Sequence, residues 1–231
     1  MTRYWAIVPA AGRGRRFGGE TPKQYLMLQT QTVMQHSLNR LCQGLPLAAC
    51  IVPISADDQL AEQLEYQYAA HIRFVAGGTE RMDSVWAGMQ ALQGQADEMD
   101  WVLVHDVARP CIALSSLKQL LIELADDPVG GLLAVPVRDT LKRAQAGRVA
   151  CTVSREALWQ GQTPQMFRYG VLYAALQSAI QSGQLVTDEA SAVELAGHSV
   201  RLVEGRSDNI KITYPDDLPL AAAILVAQAA E

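Results

Sequence analysis

The chain has 231 residues, 49% apolar and 19% charged, a size and balance suited to one buried core and unlike a disordered chain. A formal net charge of −5 argues against a nucleic-acid-binding surface as the main business, though not against a local basic pocket. No apolar run approaches the roughly 18–20 residues of a membrane span.

The opening residues, Met1-Thr2-Arg3-Tyr4-Trp5, lack the h-region of a signal peptide and run straight into a strand pattern at 4–11 (YWAIVPAA), which leads to a glycine-rich loop. Further strands are predicted at 48–55, 72–76, 101–105 and 131–137. Their near-continuous hydrophobicity suits strands covered on both faces. Between them Met82, Val85, Trp86, Met89 and Leu92 share one helical face, with Thr79 placed as the cap. Leu114, Leu117, Leu121 and Leu124 share another, with Ser115 or Ser116 helping to start it. Strand-helix alternation predicts an α/β fold with a doubly wound, mainly parallel sheet, and places ligands at the carboxyl ends of the strands. One stretch breaks the rhythm. Residues 136–159 read as two strands turning at Ala146-Gly147, a hairpin serving as a lid or as an arm that reaches a partner. With no repeat or linker, 1–231 reads as one domain carrying that insertion. Cys42, Cys50, Cys111 and Cys151 stand apart without a C-x-x-C pair, so neither a disulfide framework nor a zinc site is expected, and a reducing cytoplasm is the natural home.

The strongest local signal is Pro9-Ala10-Ala11-Gly12-Arg13-Gly14-Arg15-Arg16-Phe17-Gly18, followed by Pro22-Lys23-Gln24. Glycines directly after a first strand let backbone N–H groups curl around phosphate oxygens. A cation ~4 Å from a phosphate contributes about 4 kcal/mol at an effective dielectric near 20, before desolvation is set against it. Arg13, Arg15, Arg16 and Lys23 therefore suit a site for several phosphates. Two competitors are a solvated basic turn and a dinucleotide fingerprint through Gly12, Gly14 and Gly18. The arginines, and the lack of an apolar helix starting within the loop, count against the second. A P-loop is excluded because no G-K-[ST] follows. Asp106 ends the strand at 101–105, where a carboxylate either holds Mg²⁺ or caps the next turn. Arg109 could pair with it or reach a phosphate, and His105 reads as structural rather than catalytic.

PAAGRGRRFG with PKQY, GGTER at 77–81 with Ser84, VHDVARP at 104–110, PVRDTLKR at 136–143, and TDEA at 187–190 with NIK at 209–211 follow one another in order. Together they resemble the 2-C-methyl-D-erythritol 4-phosphate cytidylyltransferase family across essentially the whole chain. The resemblance implies a Rossmann-like nucleotidyltransferase fold. It also implies transfer of CMP from CTP to 2-C-methyl-D-erythritol 4-phosphate with Mg²⁺, release of pyrophosphate, and a homodimer joined through the β-arm. Ala10, Ala11 and Gly12 would give backbone contacts to CTP, and Arg16 and Lys23 would stabilise charge at the reacting phosphorus. Gly77, Gly78 and Ser84 would read cytosine, Val107 would pack on the ribose, and Asp106 would hold the metal and meet both substrates. Arg109, Thr140, Arg155, Thr163, Thr187 and Lys211 would bind the acceptor. Among these, Arg155 and Lys211 would also be catalytic, and Arg155 and Thr163 would arrive from the neighbouring subunit. Val107 stands where the family commonly has alanine, and Thr79 where some members carry aspartate. The resemblance leaves Arg13 and Arg15 unassigned. Competing readings are a ribitol-5-phosphate cytidylyltransferase, a nucleotide-binding regulatory protein without turnover, and a nicotinamide dehydrogenase.

Overall fold

The computed structural model describes residues 2–12 and 21–230; Arg13, Arg15 and Arg16, with the end of the glycine-rich loop, lie outside the described residues. In chain order the elements are β1 (Tyr4–Ile7), β2 (Met27–Leu28), β3 (Gln31–Thr32), α1 (Val33–Gly44), β4 (Leu47–Ile54), β5 (Ile72–Ala76), α2 (Arg81–Ala91), β6 (Trp101–Val104) and α3 (Leu114–Leu124). There follow β7 (Gly130–Pro136), β8 (Leu141–Gln145), β9 (Arg148–Val153), β10 (Trp159–Arg168), α4 (Tyr169–Gln181), α5 (Glu189–Leu195), β11 (Arg201–Glu204) and α6 (Asp217–Ala229).

A seven-stranded sheet runs β11-β7-β10-β6-β1-β4-β5. Every neighbouring pair is parallel except the two made by β10, which runs antiparallel to β6 and to β7. Side chains alternate across the strands as the pleat requires. Ala6, Val8, Cys50 and Val52 pack with Met34, Leu38 and Leu41 of α1 and Leu117, Leu120 and Leu124 of α3. Trp5, Ile7, Ala49 and Ile51 pack with Val85 and Met89 of α2, Leu172 and Leu176 of α4 and Val193 of α5. Helices thus cover both faces, as the near-continuous apolar strands predict. No helix among the described residues is long and apolar enough to cross a membrane.

Several sequence expectations change. The first strand was expected to reach residue 11, but it ends at Ile7. Val8 and Ala10 still donate backbone N–H groups to Ile51 O (2.9 Å) and Pro53 O (2.8 Å), so the chain leaves the sheet without leaving β4. Thr79 does not cap α2: Glu80 is the N-cap, and Asp83 accepts its N–H at 3.0 Å. Nor does Ser115 or Ser116 cap α3, whose N-cap is Ala113. The hairpin holds, with β8 and β9 joined through left-handed Ala146 (φ 49) and Gly147 (φ 75) as a two-residue turn needs. Its second strand is shorter than expected, ending at Val153. The strand after it, β10, was not anticipated at all, nor was β11.

Arg168 fastens the end of β10 beneath the sheet. Its guanidinium donates to Asp127 O (3.1 Å), Met99 O (2.9 Å) and Ala125 O (3.1 Å), and lies 3.6 Å over the Trp101 ring. Arg168→Met keeps the apolar stem but leaves these carbonyls without their donor. It should destabilise the fold by about 2–3 kcal/mol, read as a lower urea midpoint at unchanged slope.

Candidate active site

The carboxyl end of β6 delivers Asp106 to the ligand edge of the sheet, beside the loop that leaves β1. Three cations surround its carboxylate. Arg81 Nε lies 3.0 Å from Oδ1, Lys211 Nζ 2.8 Å from Oδ2, and Arg109 Nε 3.6 Å from Oδ2. The last is an ion pair too long to be a hydrogen bond. Burial would raise the Asp106 carboxyl, but the charges of Arg81, Lys211 and Arg109, with the Lys211 hydrogen bond, outweigh it and hold the group well below the usual carboxylate range. Arg81, the first residue of α2, turns its other edge to Glu189, the first residue of α5, with contacts of 2.6 and 3.0 Å. Asp188 caps α5 by accepting the Ser191 N–H (2.9 Å) and is held in turn by Gln165 of β10 (2.8 Å).

A cavity of about 260 Å³ opens here. The predicted residues Ala10, Ala11, Gly12, Lys23, Gly78, Ser84, Asp106, Val107 and Lys211 all line it, and Thr79, Glu80 and Arg81 join them. Local chemistry explains the convergence. Gln24 donates to Ala10 O (2.9 Å), tying the Lys23 turn to the glycine-rich loop. Lys23 Nζ donates to Ile212 O (3.1 Å), and Ile212 N–H to Ala108 O (2.8 Å), so the segment carrying Lys211 is fastened to the Asp106 loop. Gly77 lies behind the lining, where a Cβ would meet Ala11 Cβ at 2.8 Å; only glycine lets the two loops approach so closely. The Ser84 hydroxyl accepts the Gly78 N–H at 3.2 Å and fixes that turn.

Other predicted residues fall elsewhere. Arg109 is behind Asp106, its Nη1 on Asn209 O at 2.6 Å. Thr187 lines a second cavity of about 620 Å³, and Arg81 forms part of both walls. Thr140 and Arg155 are exposed, at the start of the hairpin and just after it. Thr163 corrects an expectation: it belongs to β10 in the middle of this chain's own sheet, 5% exposed, and accepts the Asp106 N–H at 3.0 Å. A neighbouring subunit is not needed to bring it to Asp106. Arg16 lies outside the described residues. Sequence reasoning assigned no role to Arg81 or Glu189, although both stand inside the quoted GGTER and TDEA stretches. Among the described residues no group of three or more His, Cys, Asp or Glu gathers as a metal cluster.

A basic cavity at the carboxyl edge of a mostly parallel sheet is where α/β proteins bind ligands, and the fold is that of an α/β nucleotidyltransferase. A profile of the 2-C-methyl-D-erythritol 4-phosphate cytidylyltransferase family matches residues 4–227. A 2-C-methyl-D-erythritol 4-phosphate cytidylyltransferase from Pseudomonas putida is 54% identical over 220 residues, 94% of each chain. One from Ectopseudomonas mendocina is 53% identical over 219 residues, 94% of this chain and 93% of its own. A crystal structure of a 4-diphosphocytidyl-2C-methyl-D-erythritol synthase superposes with a TM-score of 0.85 at 36% identity, covering 97% of this chain and 99% of that one. That of the Francisella tularensis 2-C-methyl-D-erythritol 4-phosphate cytidylyltransferase gives 0.84 at 32%, covering 96% and 100%. The chain belongs to the 2-C-methyl-D-erythritol 4-phosphate cytidylyltransferase family.

Because folding depresses the Asp106 pKa, its contribution to stability is complete above the ordinary carboxylate range and is lost as pH falls towards the folded value. Asp106→Asn should therefore be less stable than wild type at pH 7 by roughly 2–4 kcal/mol, since three cations lose their shared counter-charge. The gap should begin to narrow below about pH 4 and close only as pH nears the depressed folded value, so part of it persists at pH 3. Urea unfolding of both proteins at pH 7, 5 and 3 measures it.

Proposed function

We propose that the protein transfers CMP from CTP to 2-C-methyl-D-erythritol 4-phosphate, giving 4-diphosphocytidyl-2-C-methyl-D-erythritol and pyrophosphate. The observation that carries this reading, beside family membership, is the cavity that joins the glycine loop, Lys23, Asp106 and Lys211. In the proposed reaction the backbone of Ala10, Ala11 and Gly12 holds the triphosphate and Gly77, Gly78 and Ser84 hold the cytosine. Val107, a buried side chain on that wall, packs against the ribose. The acceptor's phosphate oxygen attacks the α-phosphorus in line, and pyrophosphate leaves. Lys23 and Arg16 stabilise the charge that builds on the phosphorus, so catalysis is positioning plus charge neutralisation without a covalent intermediate. Lys211 takes the acceptor's phosphate, Arg109 adds positive charge from behind Asp106, and Thr187 takes a hydroxyl.

The donor set suits a magnesium ion carried mainly by substrate phosphates, because magnesium needs only one or two carboxylates beside phosphate and water. Asp106, kept ionised by its cations, would hold it, with Glu80 on the same cavity wall. Such an ion, when bound, neutralises phosphate charge.

The hairpin is the part of the single domain that needs a partner. An isolated two-stranded ribbon is marginal in water, yet β8 and β9 form their own small sheet with Val149 63% exposed and Trp159 39% exposed nearby. A homodimer through this arm would cover these side chains and carry Thr140 and Arg155 to the acceptor. A cytoplasmic location fits the four free thiols.

Pyrophosphate release should be fast with CTP, Mg²⁺ and methylerythritol phosphate, and slow with other nucleoside triphosphates or with ribitol phosphate. Faster turnover of ribitol phosphate would overturn the acceptor assignment. Lys23→Ala should lower kcat by about 10²–10³-fold with an unchanged circular dichroism spectrum. Deleting residues 141–153 should give a monomer by analytical ultracentrifugation and abolish turnover; an active monomer would remove the arm from the site.

A further inference from the structure

Four hydrogen bonds close a ring behind the Asp106 loop, and a fifth joins Asp106 to it. The Asp106 N–H donates to Thr163 Oγ1 at 3.0 Å, and that oxygen lies 3.0 Å from His105 Nδ1. On its other side His105 Nε2 meets Arg109 O at 3.0 Å. Arg109 Nη1 donates to Asn209 O (2.6 Å), and Asn209 Nδ2 returns to Thr163 O (2.9 Å). His105 and Asn209 are 0% and 1% exposed, and neither lines the cavity.

Hydrogen-bond polarity gives the ring one sense. A carbonyl cannot donate, so His105 Nε2 carries a proton to Arg109 O. Nδ1 of the neutral ring is then an acceptor, and among the described residues the donor within reach is the Thr163 hydroxyl. Thr163 oxygen is left with its lone pairs for the Asp106 N–H. The histidine therefore sets which way the threonine hydroxyl points, and the threonine sets where the backbone of Asp106 stands. Asn209 fixes the same threonine from its peptide side while its own carbonyl aims Arg109.

We propose that His105 and Asn209 are positioning residues for CMP transfer: through Thr163 and Arg109 they hold the Asp106 carboxylate at the height and angle at which it meets its cations and the substrates. This rests on the reaction proposed above. Neither residue touches a reacting atom, so their loss shows as misplacement, and a displacement of about 1 Å lowers a rate by up to roughly a hundredfold.

The test is steady-state kinetics with CTP and methylerythritol phosphate on wild type, His105→Phe, Thr163→Val, Thr163→Ser, Asn209→Ala and the double variant His105→Phe/Thr163→Val, each with its unfolding temperature. His105→Phe, Thr163→Val and Asn209→Ala should each lower kcat about tenfold to a hundredfold, with both KM values within about threefold. The double variant should fall no further than the worse single one, because both cut the same ring. Thr163→Ser should recover to within a few-fold of wild type. A purely structural role predicts lower unfolding temperatures with unaltered kcat per folded enzyme and additive losses, and that result overturns the proposal. A rise in acceptor KM confined to Thr163→Val would make Thr163 a direct contact, and overturns it too. Should His105→Phe fail to fold, Asn209→Ala against Thr163→Val carries the comparison. A wild type inert towards both substrates would overturn the proposed reaction and this inference together; an active wild type with unaltered variants would overturn this inference alone.

Discussion

The site depends on one carboxylate that keeps three cations together. Arg81, Arg109 and Lys211 come from distant parts of the chain, and at such distances their mutual repulsion would drive them apart in a partly buried pocket. Asp106 is the counter-charge on which all three converge. Glu189 supplies a second counter-charge to Arg81 from behind. The arrangement leaves a cavity with cations on its walls that are already ordered by their carboxylate partners. Preorganised charge of this kind needs no rearrangement when charge develops on a phosphorus.

The placement of that carboxylate follows from an irregularity in the sheet. If the sheet were wholly parallel, β6 and β7 would lie side by side. Instead β10 runs between them in the opposite direction and falls out of register with β7 between Gly161 and Gln165. Thr163 sits in that gap and meets the Asp106 N–H, while Gln165, two residues on, orients the Asp188 cap and the first turn of α5. One antiparallel strand thus supports both Asp106 and, through α5, the Glu189 that steadies Arg81. Arg168 secures the far end of the same strand under Trp101.

This strand marks the boundary of what the sequence made legible. The parallel strands could be read because burial on both faces leaves an apolar run, and the segments at 48–55, 72–76, 101–105 and 131–137 fall within a residue of β4, β5, β6 and β7. WQGQTPQMFR has no such run; its glycine and proline argue against a central strand, and its polar side chains face partners invisible to local pattern. β11 escaped for a different reason, being four residues long with Leu202 46% exposed. In the site, residues whose placement is local could be read: glycines at a turn, an aspartate at a strand end, a lysine shortly after the glycine-rich loop. The Arg81–Glu189 pair could not, because 108 positions separate the partners and each looks like an ordinary charge in the first turn of a helix.

The missed strand also bears on Thr163, which the family resemblance sends to a neighbouring subunit. With the hairpin taken as running to residue 159, anything just beyond it seems to belong to the arm. In the structure the arm ends at Val153, and the chain then re-enters the sheet through Trp159. Arg155 lies in the link between them and is exposed, whereas Thr163 is inside the sheet. Eight residues therefore separate an exposed group in the link from one that the chain's own fold has buried beside Asp106. That division has a physical basis. A group that fixes the Asp106 backbone must be held by a packed strand, since a marginal ribbon cannot hold it to the required precision. An exposed ribbon gains such rigidity only when another surface covers it.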